Sequence, residues 1–306
     1  MEAFLTTLLD RFCRYVQIDT QADEKSTSYP SSPGQLELGR LLTEELRGLG
    51  LKDAIQNAHG IVLATLGTTV KRSVPTIAWI AHLDTSPETS GHGVKPVIHR
   101  DYAGTDILLP GDKTKILRVT DNPELARLKG CTLVTSDGTT LLGADDKAGV
   151  AVIMQAAAYL AAHPEVPHGP VRLCFTCDEE IGHGVDHLDL PKLGAVVGYT
   201  LDGGGEGEID VETFSADLAT VTITGVNIHP SIAKGRMVNA VRLAGLFLER
   251  LPRQSLSPET TADRKDSCTR IVWKAESPRS GYGSCCATST RPAWRTRQSF
   301  CAPPAG

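Results

Sequence analysis

Four short stretches place imidazole and carboxylate groups close to where strand patterns end, and together they offer the chemistry of a divalent-metal hydrolytic centre. His82 and Asp84 are two residues apart, so on an extended chain they share a face. A neutral imidazole is a good zinc ligand, and a carboxylate two residues on can orient it or raise its basicity. Gly143-Ala144-Asp145-Asp146-Lys147-Ala148-Gly149 sets two acids at a helix start, where they can cap the helix or hold cations. Asp178-Glu179-Glu180 puts three acids in a row, which repel one another unless the loop is solvated or a cation lies among them. One of them could then bind metal while its neighbour stays free as a general base. Asp202 precedes Gly203-Gly204-Gly205, a run that leaves backbone room but does not match GxGxxG, so no dinucleotide site is read here. Each stretch alone reads more simply as a surface pair, a cap, a solvated loop or a turn. Together they supply one histidine and several carboxylates, a mixed set that suits zinc, with cobalt or manganese as alternatives. Two ions ~3.5–4 Å apart that share a carboxylate would suit hydrolysis.

The elements that must position these groups alternate strand and helix, the pattern of an α/β sheet. Phe4, Leu8, Phe12 and Val16 recur at helical spacing, and Asp10, Arg11 and Arg14 interrupt the run. Residues 1–16 therefore read as an amphipathic helix and not as a signal peptide. A second helix is expected over 34–49, with Gly50 as its stop. Strands are expected over 60–65, 76–82, 132–136, 139–142, 171–177 and 195–201, with a turn at Asp137-Gly138 and a loop-rich stretch over 86–130. Asp145 and Asp146 open a helix whose Val150, Ile153, Met154, Ala157 and Leu160 follow the i, i+3, i+4, i+7 rule. From about Asp217 the pattern changes: 218–223 alternates like a half-exposed strand, and 238–251 reads as an amphipathic helix.

The chain has 306 residues, 41% hydrophobic and 22% charged, a composition with room for a sizeable core. A net charge of -5 gives no support for a nucleic-acid or anionic-membrane partner. No apolar run reaches the ~18 residues of a membrane span. Without an export signal the cytoplasm is the expected compartment. Cys174 and Cys177 make a CxxC, but they lie in the strand pattern VRLCFTC, where residues three apart face opposite ways. They read as buried strand cysteines, since a redox pair usually opens a helix.

AHLDTSPETSG, TLLGADDKAGVA, FTCDEEIGHG, YTLDGGGEGEI and NIHPSIAKGRMVNA, in this order, resemble the zinc-dependent exopeptidase family of tripeptide aminopeptidases, dipeptidases, carboxypeptidases and deacylases. The resemblance runs from the N-terminal helix to about Thr261, and HLDTSPETSG with the NIHP stretch points to the tripeptide aminopeptidases. It implies an α/β, mixed-sheet catalytic domain over 1–212, incomplete here, the start of a smaller α+β lid domain over 213–261, and two zinc ions. His82 would bind one ion, oriented by Asp84, and Asp145 would bridge the two. Glu180 would bind one ion and Asp202 the other, and Glu179 would be the general base. His229, in the lid stretch, would reach the substrate and help stabilise the oxyanion. Read from the residues alone, His229 is a surface histidine before Pro230. The implied partner is a short peptide, and a homodimer stays open.

Three features depart from the family pattern. Ser231-Ile232 stands where a Gly-Thr type pair is usual. The rest of the lid domain, with its substrate-binding arginine, is not recognisable after Thr261. The family takes its last zinc ligand from a histidine near the C-terminus, whereas His229 is the final histidine of these 306 residues. Residues 262–306 carry eight Lys/Arg against three Asp/Glu, together with four cysteines and two tryptophans. The stretch is expected to be a disordered basic tail. Its cysteines and tryptophans point to a reading-frame shift and not to a natural tail. The chain is expected to be poorly soluble and an impaired or inactive peptidase. The competing readings are a non-catalytic metal- or partner-binding remnant and a related dipeptidase or deacylase.

Overall fold

Helical periodicity in the first fifty residues produces α1 (Glu2–Val16) and α2 (Pro33–Gly48), and Leu38, Leu42 and Leu46 bury the inward stripe of α2. Pro33 is pre-set for a helix start, and Gly50 supplies the left-handed backbone that ends the run. The strands that follow are β1 (Ile55–Gln56), β2 (Val62–Leu66), β3 (Ile77–His82), β4 (Val97–His99), β5 (Ile107–Leu108), β6 (Ile116–Leu117), β7 (Leu133–Thr135), β8 (Val171–Thr176) and β9 (Val197–Thr200). Helix α3 (Ala144–Ala162) precedes β8, and a single-turn α4 (Leu190–Leu193) precedes β9. This computed structural model describes residues 2–203, 205, 207–211, 214–261, 274–276 and 284–294, with side chains over 4–203, 205, 207–211, 221–257 and 259–261.

Period-two burial builds a mixed five-stranded sheet in the order β1-β2-β8-β3-β9. Val62, Ala64, Leu66, Leu173, Phe175 and Ala81 turn to the face covered by helices, against Leu38, Leu42 and Leu46 of α2 and Val150, Ile153, Met154 and Ala157 of α3. The alternate residues Leu63, Ala78 and Cys174 turn to the other face, beside Leu193. Cys174 and Cys177 accordingly sit in different clusters, both as buried free thiols. Glu45 of α2 accepts hydrogen bonds from Arg11, Arg14 and Tyr15, which ties α1 to the same layer.

Strand β3 is parallel to both β8 and β9, so three neighbouring strands end side by side. His82 closes β3, Asp178 comes two residues after the end of β8, and Asp202 two after the end of β9. The fold thus assembles four distant stretches of sequence at one sheet edge, with the start of α3 as the fourth.

One expectation needs correction. Residues 139–142 form no strand. Asp137 Oδ1 takes the Thr139 N–H at 2.9 Å and the Thr139 hydroxyl at 2.5 Å, which curls the chain locally, and Leu141 makes only a lone bond to the Ser90 carbonyl. The stretch 86–130 is loop-rich as expected, with small elements inside it. Strands β5 and β6 pair, β4 pairs with β7, and Tyr102, Ile107 and Leu109 pack with Leu117, Leu125, Leu128 and Leu133. Strands of two or three residues are too short for a periodic signal.

The chain divides into Met1–Glu206 and Gly207–Gly306, against an expected boundary after residue 212. In the second unit β10 (Phe214–Thr224) pairs antiparallel with β12 (Ser284–Trp294), which also pairs with β11 (Lys274–Glu276). Helix α5 (Ala240–Glu249) is capped by Asn239, whose side chain accepts the Arg242 N–H at 3.1 Å. Strands β11 and β12 fall in the stretch expected to be disordered; residues 262–273, 277–283 and 295–306 lie outside the described residues. Among the described residues no helix is long and apolar enough to cross a membrane.

The core of the first unit predicts a stability contrast. Leu42→Ala, at a fully buried position, is expected to cost about 2–5 kcal/mol. Val185→Ala, at a side chain 72% exposed, should stay within about 0.5 kcal/mol. Urea unfolding midpoints check both, and equal shifts would contradict the assigned core.

Candidate metal centre

Strand β3 delivers His82 into the interior, where the residue is 2% exposed. Its Nδ1 lies 3.0 Å from the backbone oxygen of Asp84 and 3.4 Å from Asp84 Oδ1, so the main chain and the carboxylate together fix the ring. Its Nε2 lies 3.0 Å from Asp145 Oδ1 and 3.9 Å from Asp202 Oδ2. One ligand-type atom from each of His82, Asp145 and Asp202 falls within 4.8 Å of the others.

The two acids at the start of α3 divide their work. Both have non-helical backbone angles. Asp146 turns inward: Oδ2 accepts the His82 N–H and Oδ1 accepts the Gly149 N–H, each at 3.2 Å. It therefore caps the helix and anchors the last residue of β3 at once. Asp145, with its side chain 72% exposed, is left to meet His82. Gly149 is needed for this approach, since a Cβ there would lie 2.2 Å from the Leu201 carbonyl oxygen. Its absence lets the first turn of α3 close on the chain just after β9, next to Asp202.

Asp84 is fully buried and its carboxylate reaches across to the next strand end. One oxygen accepts the Glu179 N–H and the other the Glu180 N–H, both at 3.0 Å. The row of three acids is split as a result. Asp178 turns away, buried, with φ +57, and its carboxylate is taken by Ser31 and Gln35. Glu179 is exposed and Glu180 half-buried, on the loop that Asp84 holds. Lys147, 2% exposed, donates to the Ile18 carbonyl at 2.7 Å, and burial lowers its pKa to about 8.

The electrostatics are those of anions forced together. Burial pushes Asp146 up to about 8 against the pull of the His82 charge. Burial, with the charges of Asp145 and Glu179, lifts Asp202 to about 6, although His82 pulls the other way. Glu180 is raised by burial and by Asp145. His82 answers from the other side: burial alone would lower it, but the hydrogen bond and charge of Asp84, with Asp146 and Asp202, hold it at about 10. A proton on His82 stands where a divalent cation would sit, and a cation would relieve every one of these raised carboxyls. A buried, oriented imidazole facing two carboxylates is a donor set that fits zinc or a related ion.

The structure thus brings together His82, Asp145 and Asp202, with Asp84 behind them and Glu179 and Glu180 on the adjoining loop. His229 lies in the second unit, where it is exposed; its Nδ1 is 2.7 Å from Ser231 Oγ and accepts the Ser231 N–H at 3.3 Å. Sequence reasoning did not find the anchoring role of Asp146 or the parts of Ser31 and Gln35. A signal existed for Gln35: it is a polar residue in register with the buried stripe of Leu38, Leu42 and Leu46.

Residues 135–263 match the model of peptidase family M20/M25/M40. A protein of Geobacillus thermodenitrificans named peptidase T is 49% identical over 254 residues, covering 83% of this chain and 62% of the relative. A peptidase T of Clostridium botulinum is 48% identical over the same shares. The chain spans about 62% of the length of these curated relatives. Among solved structures, aminopeptidase PepT of Bacillus cereus superposes with a TM-score of 0.62 at 24% identity, covering 95% of this chain and 67% of that one. A tripeptidase of Staphylococcus aureus gives 0.59 at 23% identity, over 94% and 66%. At these identities the structural likeness establishes the fold.

The protonation pattern predicts proton-linked metal binding. A cation must displace the proton that His82 keeps up to about 10, and below about 6 Asp202 also competes. Zinc affinity should therefore rise with pH across that window, and uptake at pH 7 should release at least one proton. Titration calorimetry in two buffers of different ionisation heat measures the release; none at all would contradict the site.

Proposed function

We propose that this chain belongs to the M20/M25/M40 peptidases, whose model matches residues 135–263, and that the three strand ends form the centre of a metal-dependent aminopeptidase that releases the N-terminal residue of tripeptides. The observation that carries this reading is the meeting of His82, Asp145 and Asp202 at neighbouring strand ends, with the Glu179-Glu180 backbone pinned beside them by Asp84.

In this reading His82, Asp145, Glu180 and Asp202 would hold a pair of divalent cations, zinc in the first instance, and Asp145 would serve both. Such a pair, when bound, supplies Lewis acidity and lowers the pKa of a water toward neutrality. The chain's own residues do the rest. Asp84 keeps Nδ1 of His82 occupied, so that Nε2 is the nitrogen free for a ligand. Glu179 takes a proton from the attacking water and returns it to the leaving amine. Its exposed side chain rises from a backbone that cannot swing away, because its N–H is fixed to a buried carboxylate. His229 is proposed to assist the oxyanion, as the resemblance implies. The substrate class, a short peptide with a free amino terminus, follows the relatives' names.

The test rests on residue dependence, not on rate. The chain is loaded with zinc or cobalt and given a tripeptide, a dipeptide and an N-acylated amino acid. Release of the N-terminal residue from the tripeptide is expected, and Glu179→Gln should reduce it by about 10²-fold or more while metal stays bound. Unchanged turnover in Glu179→Gln, or selective deacylation, would refute the assignment.

A further inference from the structure

Three consecutive N–H groups of the acidic loop each bond to a buried side chain. The Asp178 N–H goes to Gln35 Oε1 at 3.0 Å, and those of Glu179 and Glu180 go to the two oxygens of Asp84. Gln35 is fully buried and grips Asp178 twice, since its Nε2 also donates to Asp178 Oδ1 at 2.6 Å. Ser31 completes the clamp: its N–H donates to Asp178 Oδ2 at 2.7 Å and its hydroxyl to Oδ1 at 2.5 Å. Asp178 is one of two non-glycine residues with positive φ among the described residues. A left-handed aspartate costs free energy on its own and persists where its surroundings over-determine it. Here the over-determination is four hydrogen bonds, all from residues 31 and 35 at and just before the start of α2.

The left-handed turn at Asp178 reverses the chain after β8. It sends the first acid into the core and leaves the next two on the side of His82 and Asp145. Were Asp178 to relax to an extended conformation, the loop would flip and the two Asp84 bonds could not both survive. We propose that Gln35 and Ser31 are positioning residues for Glu179 and Glu180, acting through Asp178. The assignment rests on the proposed roles of Glu179 and Glu180 and adds residues more than 140 positions away to the machinery. The donors are neutral, so the clamp fixes the loop without adding positive charge that would compete with a cation.

The test uses the full chain and cobalt, whose visible absorption reports its ligand geometry. Gln35→Leu keeps the bulk and removes both polar ends. It should weaken cobalt affinity about 10-fold or more and alter the spectrum, as loss of an outer partner does at metal sites. Ser31→Ala, which removes the hydroxyl and keeps the backbone N–H bond to Asp178, should move both readouts the same way by a smaller amount. Leu46→Ala, a core change in the same helix remote from the loop, serves as the stability control and should leave affinity and spectrum unchanged. Wild-type cobalt binding in Gln35→Leu and Ser31→Ala, or equal weakening in Leu46→Ala, overturns the positioning role. Failure of the underlying site has its own signature: His82→Ala and Glu180→Gln would then bind cobalt as tightly as the parent chain, which overturns both readings together.

Discussion

The candidate centre depends on one buried carboxylate. Asp84 sits where three parts of the site meet: its backbone oxygen and carboxylate face His82 Nδ1, and its two oxygens hold the Glu179 and Glu180 N–H groups. An ionised carboxylate in the interior costs much free energy unless donors surround it. Asp84 meets that condition only when β3 and β8 end in register and the loop after β8 turns back toward it. The desolvation cost therefore becomes a geometric constraint. The carboxylate is satisfied in one arrangement of the two strand ends, and that arrangement brings the remaining groups together.

The second constraint is mutual repulsion. Asp145, Asp146, Glu180 and Asp202 are close enough for burial and neighbouring charge to raise Asp146, Glu180 and Asp202 from their ordinary values. The imidazole they surround is the compensating group for Asp146 and Asp202, and it is held protonated far above its usual pKa. Packing at Gly149 and the capping bonds of Asp146 keep these groups from spreading apart. Rigid scaffolding of like charges lowers stability unless a cation belongs there. For that reason the arrangement reads as a binding site and not as a by-product of a polar surface.

Much of this was legible in the sequence because periodicity and position carry it. The stripe of Val150, Ile153, Met154 and Ala157 placed α3, and strand patterns ending at His82, near Asp178 and just before Asp202 put the ligand-type residues at one sheet edge. The pairs HxD and DD were visible, but the division of labour within them was not. Nothing in the spelling Asp145-Asp146 says which acid turns inward, because that depends on the Gly149 N–H and the His82 N–H, which only the fold brings near. The small pairings in 86–130 were hidden for another reason, since two- and three-residue strands leave no alternation to detect.

Gln35 shows a third kind of limit and what can be recovered from it. Its position continues the apolar face of α2 one turn before Leu38, where a leucine would satisfy the pattern. A glutamine there breaks the local rule, and a buried amide must find partners for both its ends. Besides the nearby Ser31 and Ser32 hydroxyls, its partners are the N–H and the carboxylate of a single residue, Asp178, which no window of local sequence contains. A buried amide that reads both groups of one loop residue defines that residue's backbone as well as its side chain. The acidic triplet thus owes its geometry to Gln35 and Asp84, two residues outside it, and the same three letters without those partners would be an ordinary solvated loop.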